Sequence, residues 1–351
     1  MKENPARPPQ NMPSPLLIGI DIDTARIRAG LVNEIGRIVA DRTIPMPTRT
    51  TRAAIGAIVG VILELASCGE RDGRPIERVG VGVAGLVDPP TGRVSLHGLR
   101  GWTRVPVLQS IEEALDEAGH DIRLASGERR GRAVAAASGH PGMVIFTRNT
   151  AIAAAEAWTG AARGKQNVVY LSINEKIEAG ILADGRALLG AAGFAAAAGW
   201  LAAREEFRNE YETAGCLTTE AAIQALPRHA IELWEGTVDS MLAGLIKTDP
   251  TAVDAAMILR SAAAGDELAL RAVDATCRWL GRGIANFISI LNPDAVLLGG
   301  EFGLLLRPHL DLIRDEARRW ALPYAARSCK ILSAALGEKA AVIGAAKLAG
   351  K

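Results

Sequence analysis

Near the start of the chain the apolar positions fall into short runs, and soon afterwards they take on a helical spacing. Leu16–Asp21 (LLIGID), Ile27–Val32 and Arg37–Ile44 read as three strands joined by tight turns, an antiparallel opening. Ile55, Ile58, Val59, Ile62, Leu63 and Leu65 then recur with the period of a helix across Ala53–Ala66, and Arg78–Ala84 reads as a buried strand that breaks at Gly85. A helix over Val107–Ala118, a strand near Ile122 and a strand at Met143–Thr147 follow, with a stretch rich in Gly, Arg and Ala before the last of them.

The same opening then returns. Asn167–Ile173, Glu178–Ala183 and Arg186–Leu189 predict three more strands, with Asp184-Gly185 as a hairpin turn, which makes a rough internal repeat. Ala195–Ile290 reads as helical throughout, with stops at Gly215, Pro227, Pro250 and Gly265. Ala295–Leu298 is a strand ending at Gly299-Gly300, followed by a helix over Leu304–Arg319, a strand at Lys330–Leu332 and a helix over Glu338–Leu348. The pattern predicts two α/β lobes hinged between Thr147 and Asn167. A loose proline-rich tail covers 1–15, a first lobe covers 16–147 with an insertion at 126–142, a second covers 148–337, and a helix in 338–351 packs back toward the first lobe.

Composition narrows the function classes. The 351 residues leave room for two domains, and 49% hydrophobic content supplies a sizeable core. Forty Lys plus Arg against 39 Asp plus Glu give a net charge of +1, without the basic excess of a nucleic-acid surface, so no nucleic-acid partner is expected. Residues 1–15 hold five prolines and no apolar core, so neither a signal peptide nor a membrane span is expected and the reading is a cytoplasmic protein. Cys68, Cys216, Cys277 and Cys329 are scattered without a CxxC and read as reduced, buried thiols. His97, His120, His140, His229 and His309 share no ligand spacing and read as surface or loop residues.

Four strings carry a resemblance: residues 79–92 (VGVGVAGLVDPPTG), 152–171 (IAAAEAWTGAARGKQNVVYL), 286–300 (NFISILNPDAVLLGG) and 333–348 (SAALGEKAAVIGAAKL). In this order and spacing they resemble the ROK family of sugar kinases and sugar-responsive repressors, over nearly the whole chain after Pro15. The resemblance implies an α/β fold of two ribonuclease-H-like lobes, of the actin-like ATPase and hexokinase kind, around a cleft where sugar and ATP meet. Family repressors carry a helix-turn-helix before the first strand. Only 15 residues precede it here, so a DNA-binding repressor is not expected.

Phosphoryl transfer needs a polyphosphate cradle of backbone N–H groups, a metal ion and a base. The family builds its cradles with glycines, which let the backbone approach phosphate closely. The first, DxGGTK in similar proteins, reads Asp21-Ile22-Asp23-Thr24-Ala25-Arg26 here, without its glycines and with a carboxylate at Asp23 where phosphate is expected. The second, Gly-Thr-Gly-Ile-Gly in similar proteins, reads Asn174-Glu175-Lys176-Ile177-Glu178. Read from the residues alone, both segments are hairpin turns with Asp23 and Asn174 as turn formers. The family's base is an Asp after Asn at the start of a helix. A gapless count back from Ala155 puts Thr147 and Arg148 there, whereas a count forward from Gly101-Trp102 lands near Ser126, Gly127 and Glu128. Neither count supplies the Asp. Glu128 is the one nearby carboxylate that could serve as base, against its plainer reading as a solvated charge.

The sugar contacts implied by the resemblance fall on Gly98, Ala197, Trp200 and Thr218, small or apolar groups in place of polar ones, each lost hydrogen bond worth roughly 1 kcal/mol. Trp200 could stack on a flat ligand, although a Trp in an Ala-rich helix reads first as core. The family's structural zinc site, a histidine and the cysteines of CxCGxxGC, falls on Trp200 and Asn209–Cys216, where only Cys216 is a ligand, so no zinc is expected. Asp21, Gly85, Asp88, Gly101-Trp102, Gly160, Gly299-Gly300, Gly337 and Gly344 match the family. Asp21, Gly299 and Gly300 form a vestigial nucleotide site on this reading.

These departures predict a ROK-type protein that has lost kinase chemistry and acts as a binding, sensor or assembly protein. A homodimer or a protein partner is expected, with Phe287–Leu291 and Leu304–Leu312 as candidates to pack between subunits. The alternative is an active sugar kinase of glucokinase or amino-sugar kinase type, in which ATP and Mg²⁺ are cofactors, Asp21 serves the metal and Glu128 is the base.

Overall fold

The structure is a computed structural model that describes residues 14–88, 91–118, 142–234 and 240–350. The strand expected near Ile122 and the 126–142 insertion lie outside the described residues. The chain divides into two compact units. The first consists of residues up to Thr159 with Ala191–Gly193 and the segment from Glu338, and the second of Gly160–Gly190 and Phe194–Gly337.

In the first unit, β1 (Leu16–Ile22), β2 (Arg26–Val32) and β3 (Ile38–Pro45) form an antiparallel meander, and β4 (Ile76–Val83) and β7 (Met143–Thr147) extend it on the β1 side in parallel, in the order β3-β2-β1-β4-β7. A small hairpin, β5 (Leu86–Asp88) with β6 (Arg93–Ser95), follows β4. Helix α1 (Thr51–Arg71) starts where the Thr50 hydroxyl accepts from the Ala53 amide. It is long and apolar enough to cross a membrane, but Ile55, Ile58, Val59, Ile62 and Leu65 are buried at a spacing of three and four, as in a core helix packed on its own sheet and on α2 (Val107–Glu117). Helix α3 (Arg148–Trp158) leaves β7 without a loop, with Thr147 as N-cap.

The second unit repeats the plan. β8 (Val168–Ile173), β9 (Ile177–Ala183) and β10 (Arg186–Ala187) are antiparallel, and β11 (Ala295–Gly299) and β12 (Lys330–Ser333) add in parallel, in the order β10-β9-β8-β11-β12. The internal repeat is therefore a repeat of sheets, the ribonuclease-H-like order twice. Asp184 (φ 50) and Gly185 (φ 70) turn the β9–β10 hairpin with both residues left-handed, the conformation such a two-residue turn requires. The helices are α4 (Tyr211–Ala214), α5 (Cys216–Ala221), α6 (Ala225–Leu233), α7 (Met241–Thr248), α8 (Ala255–Ala263), α9 (Glu267–Leu291), α10 (Glu301–Leu305), α11 (Leu310–Trp320) and α12 (Pro323–Ser328). Helix α9 is capped by Asp266, which accepts from the Ala269 amide, and ends at Asn292 in the left-handed region. Val169, Leu171, Val296 and Leu298 of the sheet meet Leu280, Ile284 and Ile288 of α9 in one core.

Three expectations are corrected. Residues 195–210 are not helical apart from a single turn at Ala198–Trp200, because Ala196 (φ 69) is left-handed and stops a helix that the alanine content would favour. The predicted 304–319 helix is divided at Arg307–His309, where Pro308 removes a donor. The stop expected at Pro227 is absent, because Pro227 sits in the first turn of α6, where its missing donor costs no helical bond. The boundary between the units falls after Thr159, within the hinge expected between Thr147 and Asn167, and α3 stays with the first unit because it packs on β4, β7 and the last helix, α13 (Ala340–Ala349).

Candidate functional site

The carboxyl ends of β1, β4 and β7 converge in the first unit. Asp21, next to last in β1, is opposite Arg28 of β2 in the ladder and beside Gly82 of β4, which in turn pairs with Phe146 of β7. A Cβ at Gly82 would lie 3.4 Å from the Ala151 side chain and 3.8 Å from the Arg148 Cα, which places the start of α3 against this row. Arg148 Nε donates to Asp21 Oδ1 at 2.7 Å and Nη2 to Oδ2 at 3.1 Å, the two-pronged arrangement a guanidinium makes with a carboxylate. Arg28 Nη1 donates to Asp21 Oδ2 at 2.8 Å.

Asp21 is 1% exposed. Burial raises its pKa, and the guanidiniums of Arg148 and Arg28 act in the opposite sense. Asp23 joins the same group, with Arg148 Nη2 at 2.9 Å and Arg28 Nη1 at 3.3 Å from Oδ2. Burial is the largest single influence on Asp23 and raises its pKa, but hydrogen bonds from Arg148 and from the Arg26 and Ala25 amides together outweigh it and hold the carboxyl below its ordinary value. Two carboxylates and two guanidiniums thus neutralise one another. The amides of Ala25 and Arg26 both donate to Asp23 Oδ1 at 2.7 Å, and Asp23 N donates to the Arg26 carbonyl.

Of the two counts for the base, the gapless one from Ala155 ends on the junction of β7 and α3, with Arg148 as the first helical residue. The other ends outside the described residues, as does Glu128. Arg28 was missed in the sequence, yet Asp21 and Arg28 lie symmetrically about a tight turn between two strands, and counting outward from the turn pairs them.

In the second unit the turn between β8 and β9 is closed by its own side chains. Asn174 Oδ1 accepts from the Glu301 amide at 2.7 Å, at the start of α10, and Asn174 Nδ2 donates to Ser172 Oγ. A Cβ on Gly299 would overlap the Tyr170 ring, and one on Gly300 would lie 2.6 Å from the Ile173 backbone. Both glycines are therefore required by packing against β8. Thr218, buried on α5, accepts from the Ile177 amide at 3.2 Å and so pins the same turn. Trp200, read as a core residue, is 57% exposed, at the end of the single turn Ala198–Trp200 instead of within a packed helix.

The zinc-like stretch is organised around Glu220 instead. Tyr211 Oη donates to Glu220, Arg228 Nη2 donates to it at 2.8 Å, and Arg204 and Arg208 lie at 3.7 and 3.8 Å. Cys216 Sγ accepts from the Ala203 amide at 3.4 Å, and all four cysteines are free. Cys68 and Cys329 are only partly buried. Among the described residues no three His, Cys, Asp or Glu gather as metal ligands.

His229 was expected at the surface and is 4% exposed, because it sits on the inner face of α6, where its Nε2 meets the Glu220 carbonyl at 2.9 Å. Desolvation lowers the His229 pKa. Against desolvation, Tyr211 and Arg228 hold the Glu220 carboxyl below its ordinary value. Below pH 6.5 an unfolded chain gains a proton on His229 that the fold does not, and below 4.5 it gains one on Glu220 before the fold does. Both act in the same direction. The second unit is expected to hold its stability above pH 6.5 and lose it in two stages on acidification. Urea midpoints followed by amide exchange in α6 and α9 measure this, and His229→Gln should reduce the upper stage to the part left by His309, whose pKa desolvation also lowers. An upper stage undiminished in that variant would contradict the assignment to His229.

The ROK family model matches residues 17–150 and 134–351. A glucokinase from Streptomyces coelicolor is 27% identical over 340 residues, 95% of this chain and 97% of that protein. A xylose repressor from Caldicellulosiruptor bescii is 22% identical over 334 residues, 93% of this chain and 76% of its own length. Among solved structures, a ROK family glucokinase from Streptomyces griseus in complex with glucose and AMPPNP is 27% identical, with a TM-score of 0.62 over 95% of this chain and 98% of that one.

Proposed function

The chain belongs to the ROK family, and on that premise we propose that it is a member without sugar kinase activity, acting as a binding, sensor or assembly protein. The observation that carries this reading is Arg148 at the β7–α3 junction, ion-paired with Asp21 and Asp23. A guanidinium cannot take a proton from a hydroxyl. Among the described residues the carboxylates paired with it, Asp21 and Asp23, are both engaged by arginines, so neither is free to act as a base or to hold a metal ion in its place.

Two further features support the reading. The turn amides that a phosphate would need are already used by Asp23, and the Asn174 turn is tied to α10 and α5. Nucleotide phosphate does not fit the donors as they stand. ATP and Mg²⁺ belong to the alternative, an active glucokinase-type or amino-sugar kinase with Glu128 as base.

The test is ADP release from Mg²⁺-ATP over a panel of hexoses and amino sugars, with the Streptomyces coelicolor glucokinase as positive control. No sugar-dependent ADP is expected, and Mg²⁺-ATP should leave the melting temperature unchanged. Sugar-dependent ADP release that Glu128→Gln abolishes would replace this reading with the alternative.

A further inference from the structure

We infer that Asp23 is a built-in anion, a side chain of the protein itself that fills an oxyanion site and closes it to phosphate-bearing ligands. The inference deepens the non-catalytic reading above and rests on it. Four donors converge on the two oxygens of this one carboxylate: the Ala25 and Arg26 amides on Oδ1, both at 2.7 Å, and Arg148 Nη2 and Arg28 Nη1 on Oδ2, at 2.9 and 3.3 Å. Successive backbone amides of a turn together with two guanidiniums are the donor set of a phosphate site. The side chain that uses them is only 16% exposed, so it lies in the site rather than over it.

A turn-forming Asp needs only the two amide contacts. The two guanidiniums on the other oxygen are what distinguish an occupant from a turn former, and Arg28 Nε, buried and without a hydrogen-bond partner among the described residues, is a donor that the carboxylate does not reach. Because the carboxylate is tethered to the turn by a single carbon, its effective concentration exceeds that of any dissolved anion. An external phosphate would have to displace it and accept a like charge at contact distance. The turn therefore keeps its anion-bound geometry with nothing bound, and the first unit does not respond to nucleotide.

Removing the carboxylate should uncover the site. Asp23→Ala leaves two amides, two guanidiniums and the single counter-charge of Asp21, a local balance of +1. The probes are inorganic tripolyphosphate and ADP, titrated calorimetrically at low salt against the full chain. Wild type is expected to show no binding, and Asp23→Ala a gain of about tenfold or more in affinity for both probes, since a like charge at contact distance has been removed. The gain should fall with added salt and vanish when Arg148→Met is combined with Asp23→Ala.

A folded Asp23→Ala that gains nothing, a gain that survives Arg148→Met, or a wild type that binds equally well would each overturn the inference. Should Asp23→Ala not fold, Asp23→Asn keeps the amide-accepting oxygen and removes the charge, and a folded Asp23→Asn without any gain overturns it equally. A failed titration leaves the loss of kinase activity standing, because that is decided by ADP release from the wild type alone.

Discussion

Replacing Arg148 with methionine is expected to destabilise the first unit by about 3 kcal/mol, because it strips a buried carboxylate of its two-pronged partner. Asp21 is 1% exposed and cannot recover water in exchange. The figure lies at the low end for a broken buried pair because Arg28 stays within 2.8 Å. Asp21→Asn in the same background removes the orphaned charge, and the double variant should be more stable than Arg148→Met alone. Amide exchange in β1 and β2, read against urea, follows the first unit separately from the second. A loss below about 1 kcal/mol, the range of exposed ion pairs, would mean that the cluster is solvated and that its closure has been misread.

The second large effect comes from glycine. A Cβ on Gly344 would overlap the Ala151 carbonyl, one on Gly19 the Val342 carbonyl, and one on Gly80 the Ala345 carbonyl. Helix α13 thus lies with its backbone directly on β1, β4 and α3, at three points where no side chain intervenes. Gly344→Ala is expected to cost about 3 kcal/mol or more, at the upper end of overpacking, since backbone and not a flexible side chain must move. Gly56 and Gly60 on α1 face open space, and there the same change should stabilise by about 0.5 to 1 kcal/mol through helix propensity. Thermal unfolding distinguishes the signs, and protease release of the segment from Glu338 reports whether α13 has lifted. A Gly344→Ala protein that melts with wild type would show the contact to be loose.

Much of the sheet plan was legible because strands announce themselves by apolar runs and by turns, and these are local signals. The repeat of three antiparallel strands at Leu16 and at Asn167 was visible for that reason. Asp21 and Asp23 stood out against the glycines expected beside them. Arg148 was marked by its count to the base position, but its pairing with them was not, since it lies 127 residues from Asp21 and no periodicity marks an ion pair formed over that distance. Trp200 and His229 were read by residue type, and each was reversed by its backbone: left-handed Ala196 leaves Trp200 at the end of a single short turn rather than in a long helix, and the inner face of α6 draws His229 into the core. Glu220 attracted no notice, because a carboxylate on a short helix reads as a surface charge until four side chains turn toward it.

The place of α13 has a consequence for how the protein is made. Chains emerge from the ribosome amino end first, and domains usually close in that order. Here β1 and β4 appear early, yet the helix that covers them is Ala340–Ala349, translated after the whole of the second unit. The second unit can complete its core while the first still waits with an uncovered sheet, so the later half of the molecule is the first to finish. A pause in translation anywhere between Gly160 and Gly337 leaves that sheet exposed for as long as the pause lasts, and this is the interval in which a chaperone has something to hold.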